Sequence, residues 1–430
     1  MPLMKKTRAL LLAGPVLAAA LSLGATVPAS AAQTPAASRI APAATRHAEA
    51  QAGYAPEAPA ARRMYAEFVG NSCVRGLGGK PYECVAVGTV LHGPIYLGLV
   101  ESSNGGEWAK TSSVGRPSAP NDVTEGQEVS CAPVSRKLPD CMMVGVHYNF
   151  GGAVVQVAEW GGPAGFRIVD ASNPARAKWS NMQDVSCPST KFCLIVGSAG
   201  PNAKTEHATA YSWNGRSVRP LSVPAPPHAR WSELAGLSCP TIRTCVAVGN
   251  YTNPAGHWLA YSAIWHEGKW KLVGAPSVSG QTGTLFSGVS CPTAGFCMAA
   301  GEEYRGSTTT QFAQVWNGSK WKLLSLPAEV QSALYGASCP TLDTCFAAGW
   351  SGHLGLIEEW SRSGGWSVMK TVRTSKPANA DEFLHLSCVS AASCSAVGFS
   401  YNPAGGSFSN RALGESWNGK AWTLQAAVNS

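Results

Sequence analysis

Fourteen cysteines carry the most evident chemistry in the chain, and they fall into seven pairs: Cys73/Cys84, Cys131/Cys141, Cys187/Cys193, Cys239/Cys245, Cys291/Cys297, Cys339/Cys345 and Cys388/Cys394. Thiols at short spacing can bridge, hold a metal or act as nucleophiles. Five pairs enclose five residues, whereas the first two enclose ten and nine without losing either cysteine. A hairpin closed by a bridge tolerates that variation; a zinc knuckle does not, and no His follows at a regular offset. One disulfide across one hairpin per repeat is therefore the expectation, with metal ligation or reactive thiols the lesser reading. No metal and no cofactor are expected.

The carboxylates offer less. Glu302 and Glu303 directly follow Gly301 and precede Tyr304, an arrangement found only in the fifth repeat, which makes them the weak candidates for acid–base catalysis. A solvated pair is the ordinary reading. Glu159, Glu359 and Glu415 recur close to a Trp in three repeats, so a structural role is expected for them. Six Asp in the whole chain leave little for calcium sites or paired-carboxylate chemistry. No Gly-x-Ser-x-Gly elbow, His-Glu-x-x-His or phosphate-binding Gly loop is present.

What positions these residues is a repeat. First cysteines recur every 48 to 58 residues, a Ser precedes each of them, and a Gly stands four places after each second cysteine: Gly88, Gly145, Gly197, Gly249, Gly301, Gly349 and Gly398. The fifth repeat reads as four strands, Leu285 to Cys291, Cys297 to Gly301, Gln311 to Trp316 and Trp321 to Leu326. Asn317-Gly318 joins the last two, with both residues expected at positive φ; Asn214-Gly215 and Asn418-Gly419 repeat the signal. The expected fold is all-β: a seven-bladed β-propeller of four-stranded antiparallel blades, favoured over an open β-array because closure protects sheet edges. The first and last repeats both look nearly complete, which leaves the manner of closure open. Most Trp fall at the ends of the last hairpin of a repeat, as in Trp265/Trp270 and Trp417/Trp422. Packing between blades is favoured there over sugar stacking.

The pattern V-S-C-P-x-x-x-x-C-x-A-V-G followed by W-N-G-x-x-W, as in Val289 to Gly301 and Trp316 to Trp321, resembles secreted propeller repeat proteins of actinobacteria. It is more remotely similar to Asp-box and YCF48-like propellers. Asn317, Gly318 and Trp321 sit one residue tighter than the Asp-box pattern, so the resemblance implies the fold and not sialidase chemistry.

Lys5, Lys6 and Arg8 ahead of an apolar run and Ala29-Ser30-Ala31 mark residues 1–31 as a signal peptide for secretion to the extracellular space. An Ala/Pro-rich tail or pro-segment (32–63) and the propeller (64–430) follow, with repeats at about 64–119, 120–175, 176–227, 228–278, 279–327, 328–377 and 378–430. The net charge of +8 falls to +3 once residues 1–63 are set aside, leaving no strong polyanion signal and no expectation of nucleic acid. No later segment reads as a membrane span, and a monomer is expected.

Turns between the first and second and between the third and fourth strands share one end of each repeat, and they look alike. The opposite end carries irregular loops with aromatics and amides: Tyr148, Asn149, Tyr251, Asn253, Tyr304, Trp350, Tyr401 and Asn402. These are the expected ligand-binding residues, read against the alternative of merely variable solvent loops. The expected function is non-catalytic binding or adhesion, to a cell-surface or environmental polysaccharide ahead of an extracellular protein. A polysaccharide-degrading enzyme with acids on the same face is the alternative, and a purely structural or inhibitory propeller the third.

Overall fold

Short β-branched and apolar runs such as Thr244–Thr252 (TCVAVGNYT) bury both sides of their strand, as strands do when each sheet face is covered. Twenty-eight strands form, with no helix among the described residues. The computed structural model describes residues 65–427, less 76–81, 93–94, 105, 115–122, 133–139, 150–151, 161–165, 170, 172, 175–176, 203, 277–279, 330, 373–378 and 404–409. The expected signal peptide and Ala/Pro-rich tail lie outside the described residues.

The strands come in seven runs of four, spanning 66–114, 123–169, 179–222, 231–274, 283–323, 332–369 and 380–425. Within each run successive strands pair antiparallel, so every unit is a meander built from consecutive chain. Single parallel bridges, Tyr96 to Val123 and Trp258 to Gly283, join the third strand of a unit to the first of the next.

The disulfides join the cysteines in the order their spacing implies: Cys73 to Cys84, Cys131 to Cys141, Cys187 to Cys193, Cys239 to Cys245, Cys291 to Cys297, Cys339 to Cys345 and Cys388 to Cys394. Each closes the first hairpin of its unit, and no cysteine remains free for metal or thiol chemistry. Seven bridges favour an oxidising compartment outside the cytosol. One aspect of the expectation changes, because the bridges are more than clips on surface turns. The second members Cys84, Cys141, Cys193, Cys245, Cys297, Cys345 and Cys394 are all at most 2% exposed. Each belongs to a different one of the seven apolar clusters, since the second strand carries it directly into the sheet interior.

The serine before each first cysteine has a role between units. Its Oγ accepts the backbone N–H of the next unit's first cysteine: Cys131 to Ser72, Cys187 to Ser130, Cys239 to Ser186, Cys291 to Ser238, Cys339 to Ser290 and Cys388 to Ser338, all at 2.9–3.0 Å. The seventh bond runs from Cys73 back to Ser387, 3.0 Å. The apolar clusters follow the same order. One joins Leu194 and Val196 to Leu237 and Trp265 of the next unit, another Val246 and Val248 to Phe286 and Trp321, and a third Phe68 and Trp108 of the first unit to Val397 and Ala412 of the last. Gln425 of the last strand donates to Gly106 O in the first unit. Replacing Ser238 by Ala leaves the Cys291 N–H without its acceptor, and a loss of about 1–2 kcal/mol in denaturant unfolding is expected, with Ser238→Thr retaining most of it.

Each first strand bulges at the fourth residue before its first cysteine, for example between Leu234 and Gly236 and between Phe286 and Gly288. The repeated Gly of the second strand faces that bulge: a Cβ on Gly249 would collide with Glu233 O, and one on Gly301 with Leu285 O.

One turn expectation changes. Asn214, Asn317 and Asn418 are not among the residues at positive φ; only the Gly after each is, at 85°, 90° and 86°. The Asn side chain accepts two backbone N–H bonds instead, as Asn317 Oδ1 does from Ser319 and Lys320, which makes a longer capped loop. The two-residue turn with both φ positive occurs at Glu267-Gly268. The second and third strands of the fifth unit are also longer than expected, Phe296–Arg305 and Thr308–Trp316.

Candidate functional site

The residues expected on irregular loops stand largely at the ends of second strands. Tyr148 and Asn149 close Asp140–Asn149, Tyr251 lies in Thr244–Thr252, Tyr304 in Phe296–Arg305, Trp350 in Thr344–Ser351, and Tyr401 ends Ser393–Tyr401. Polar residues at these ends disguised strand as loop. Several of the side chains are already engaged. Tyr251 packs edge-on against Tyr261 at 5.9 Å, and Tyr401 lies 5.7 Å from Phe399. Trp350 Nε1 donates to the Tyr335 hydroxyl at 2.7 Å, and the Tyr304 hydroxyl donates to Glu302 Oε1 at 2.6 Å. Asn253 Oδ1 accepts from the N–H groups of Ala255 and His257, both at 3.0 Å, and so shapes its own turn. Asn402 is exposed.

The two candidate acids separate. Glu302 is buried against Tyr304, whereas Glu303 lines a cleft of about 240 Å³ with Gln311, Phe312, Leu324, Pro327 and Glu329. This cleft lies where the fifth unit meets the segment leading to the sixth, at the end of the molecule expected to bind. Glu303 Oε1 accepts from Gln281 Nε2 at 2.8 Å. Desolvation raises its carboxyl above the usual range, opposed by the nearby Arg305 charge. Gln311 Nε2 donates to Glu358 Oε1 at 2.8 Å and to Pro327 O at 3.1 Å. Glu303 Oε2 and Gln311 Oε1 receive no hydrogen bond among the described residues. The cleft thus combines an apolar wall with the carboxylates of Glu303 and Glu329, as sites for polar small molecules do.

A second cluster was missed in the sequence. The third residue before the first cysteine is Gly in four units but Glu128, Asp184 and His385 in the other three. His385 Nε2 lies 3.5 Å from Glu128 Oε2, and its Nδ1 lies 3.0 Å from Asn71 Oδ1. Glu128 Oε1 accepts from Val129 N at 2.9 Å; Asp184 accepts from Val185 N and from Leu237 N of the next unit, both at 2.6 Å. A Cβ on Gly70 would occupy the place of the Glu128 carboxylate. Burial raises Glu128 well above its usual value and Asp184 to about 8, and lowers His385 to about 4. Burial thus disfavours the charged form of all three groups, and backbone N–H bonds to Glu128 and Asp184 partly oppose it. The signal for them was a break in the repeat at one column, visible only once the column is known to face the adjoining unit. Among the described residues no group of three or more His, Cys, Asp or Glu is placed to hold a metal, and no helix is long and apolar enough to cross a membrane.

No protein-family model matches the chain, nor does any curated protein sequence. Among solved structures, the chain is similar to a fucose-specific lectin from Aleuria aurantia at 9% identity, over 74% of this chain and 99% of the lectin, with a TM-score of 0.43. A mutant of the Aleuria aurantia lectin in complex with Fucα1-6GlcNAc matches at 11% identity, over 70% and 94%, with a TM-score of 0.41. An α-L-arabinanase from Penicillium chrysogenum complexed with arabinobiose matches at 11% identity, over 66% and 89%, with a TM-score of 0.43.

Proposed function

We propose that the seven meanders are the blades of a seven-bladed β-propeller, exported by the signal peptide of residues 1–31, that binds a polysaccharide without cleaving it. The closed sequence of Ser-to-Cys bonds, returning from Ser387 to Cys73, supports the propeller. The cleft beside Glu303 carries the binding reading. Glu303 and Glu329 offer carboxylates to sugar hydroxyls, while Leu323, Leu324 and Pro327 offer apolar surface to the ring face. The aromatic strand ends, Tyr251, Trp350 and Tyr401 among them, then act as rigid walls around this end of the molecule, since their polar atoms or ring edges are already committed within the fold.

A glycan array probed with residues 64–430 tests the reading. Retention of at least one glycan is expected, with Glu303→Ala/Gln311→Ala weakening it about tenfold or more. Equal retention by the double variant overturns the placement, and no retention overturns the function. The raised Glu303 carboxyl and Glu329 in one cleft favour a second reading, polysaccharide cleavage with Glu303 as the acid. Released oligosaccharide from a bound glycan decides for it.

A further inference from the structure

The charge of the propeller region is sorted by unit. Residues 176–327, the third to fifth units, hold 13 of its basic residues against six acidic ones, while the units on either side carry a small acidic excess. Burial sharpens the contrast. Glu206, Glu233 and Glu302 are buried, Glu303 is half-buried in its cleft, and Asp184 is committed to two backbone N–H groups. Glu267 is the one exposed acid among the described residues of these units, and it pairs with Arg243 at 3.5 Å. All twelve of the cations among the described residues of these units are exposed.

Eight of them gather at the disulfide-bearing end and along the outer strands. Lys191 and Arg243 stand in first hairpin turns, Arg216 and Lys320 in last hairpin turns, and Lys269 opens the fourth strand of its unit. Arg219, Lys271 and Lys322 occupy equivalent places on the fourth strands of three successive units, each paired opposite the residue before a third-strand Trp: Ser212, Ile264 and Val315. The same register position thus carries a cation in three successive units.

We infer that this basic crescent on the third to fifth units binds a linear acidic polysaccharide, independently of the Glu303 cleft. Anionic groups along a flexible chain can follow both the turns and the strand positions behind them. The attraction is long-ranged and salt-dependent, with little specificity for the order of sugars.

The experiment measures binding of residues 64–430 to polygalacturonate, dextran sulfate, neutral dextran and phosphatidylserine vesicles at low and high salt. Retention on either charged polymer is expected, carboxylate and sulfate arms showing which anion is taken, with release by salt and no retention on neutral dextran. Arg219→Ser/Lys271→Ser/Lys322→Ser is expected to weaken the affinity about tenfold or more. Lys178→Ser/Lys204→Ser/Arg230→Ser, an equal charge change at the opposite end, is expected to keep it, as is the Glu303→Ala/Gln311→Ala variant. These exposed positions leave the thermal midpoint as the check that each variant is folded. Equal losses in the two triple variants, retention only on phosphatidylserine vesicles, or no retention on either charged polymer overturns the inference without touching the cleft.

Discussion

Gly249→Ala lowers the stability of the folded chain by about 3 kcal/mol or more in a denaturant titration. The added Cβ meets Glu233 O, Glu233 C and Leu234 Cα, all backbone atoms of the neighbouring strand, so no side chain can swing away to admit it. That strand is already bulged at Ala235, and its path is fixed on the far side by the next unit, where Gly236 lies against the backbone of Gly288. Strain at one hairpin is therefore passed to the adjoining one. Gly274→Ala is the control: nothing lies within 4 Å of its added Cβ, and its φ is not positive. That variant is expected to be neutral or slightly stabilising, because alanine restricts the unfolded chain. Similar midpoints for the two variants would refute the account of the repeated glycines.

The second large effect is on pH. Burial raises Asp184 and Glu415 to about 8 and Glu206 and Glu358 to about 7, and also raises Glu128 and Glu303. In the unfolded chain these acids lose their protons near pH 4 to 4.5. Between that pH and about 8 the folded chain holds more protons than the unfolded one, so stability falls as pH rises through the window. His385 works the other way: it is neutral in the fold down to about 4, so its contribution is lost as pH falls below 6.5. One histidine opposes several acids, which places the stability maximum on the acid side of neutrality. The thermal midpoint is expected to be about 5 °C or more higher at pH 5.5 than at pH 8.5. Glu358→Gln/Glu415→Gln should flatten the profile, since Gln keeps the shape without the proton. A midpoint that rises from pH 5.5 to 8.5 is incompatible with neutral buried acids.

Repetition made the hairpins, their disulfides and the Trp packing legible, because seven copies average away the accidents of any one repeat. The bulges were not legible: the extra residue is Val69, Gln127, Gln183, Ala235, Ser287, Tyr335 or Leu384, and no residue type marks it. Only the glycine across from it carries the signal. Around the candidate site, Glu303 was recognised but its partners Gln311 and Glu329 were not, since they reach the cleft from other segments. Tyr304 and Trp350 were read as ligand-binding residues because sequence shows the aromatic residue and hides the acceptor that engages it. The basic crescent was invisible for a related reason: a summed charge counts Glu206 and Glu233 as equal to Lys271, although burial removes them from the surface.

Every cysteine finds its partner within 11 residues along the chain, and no bridge leaves its own hairpin. Fourteen thiols in an open chain could combine in a great many wrong ways. Here the right partner is the next cysteine along the chain, so oxidation can keep pace with the chain's entry into an oxidising compartment and each hairpin can be sealed before its competitor arrives. A unit copied or deleted whole would bring or remove its own bridge and leave the pairing of every other cysteine unchanged.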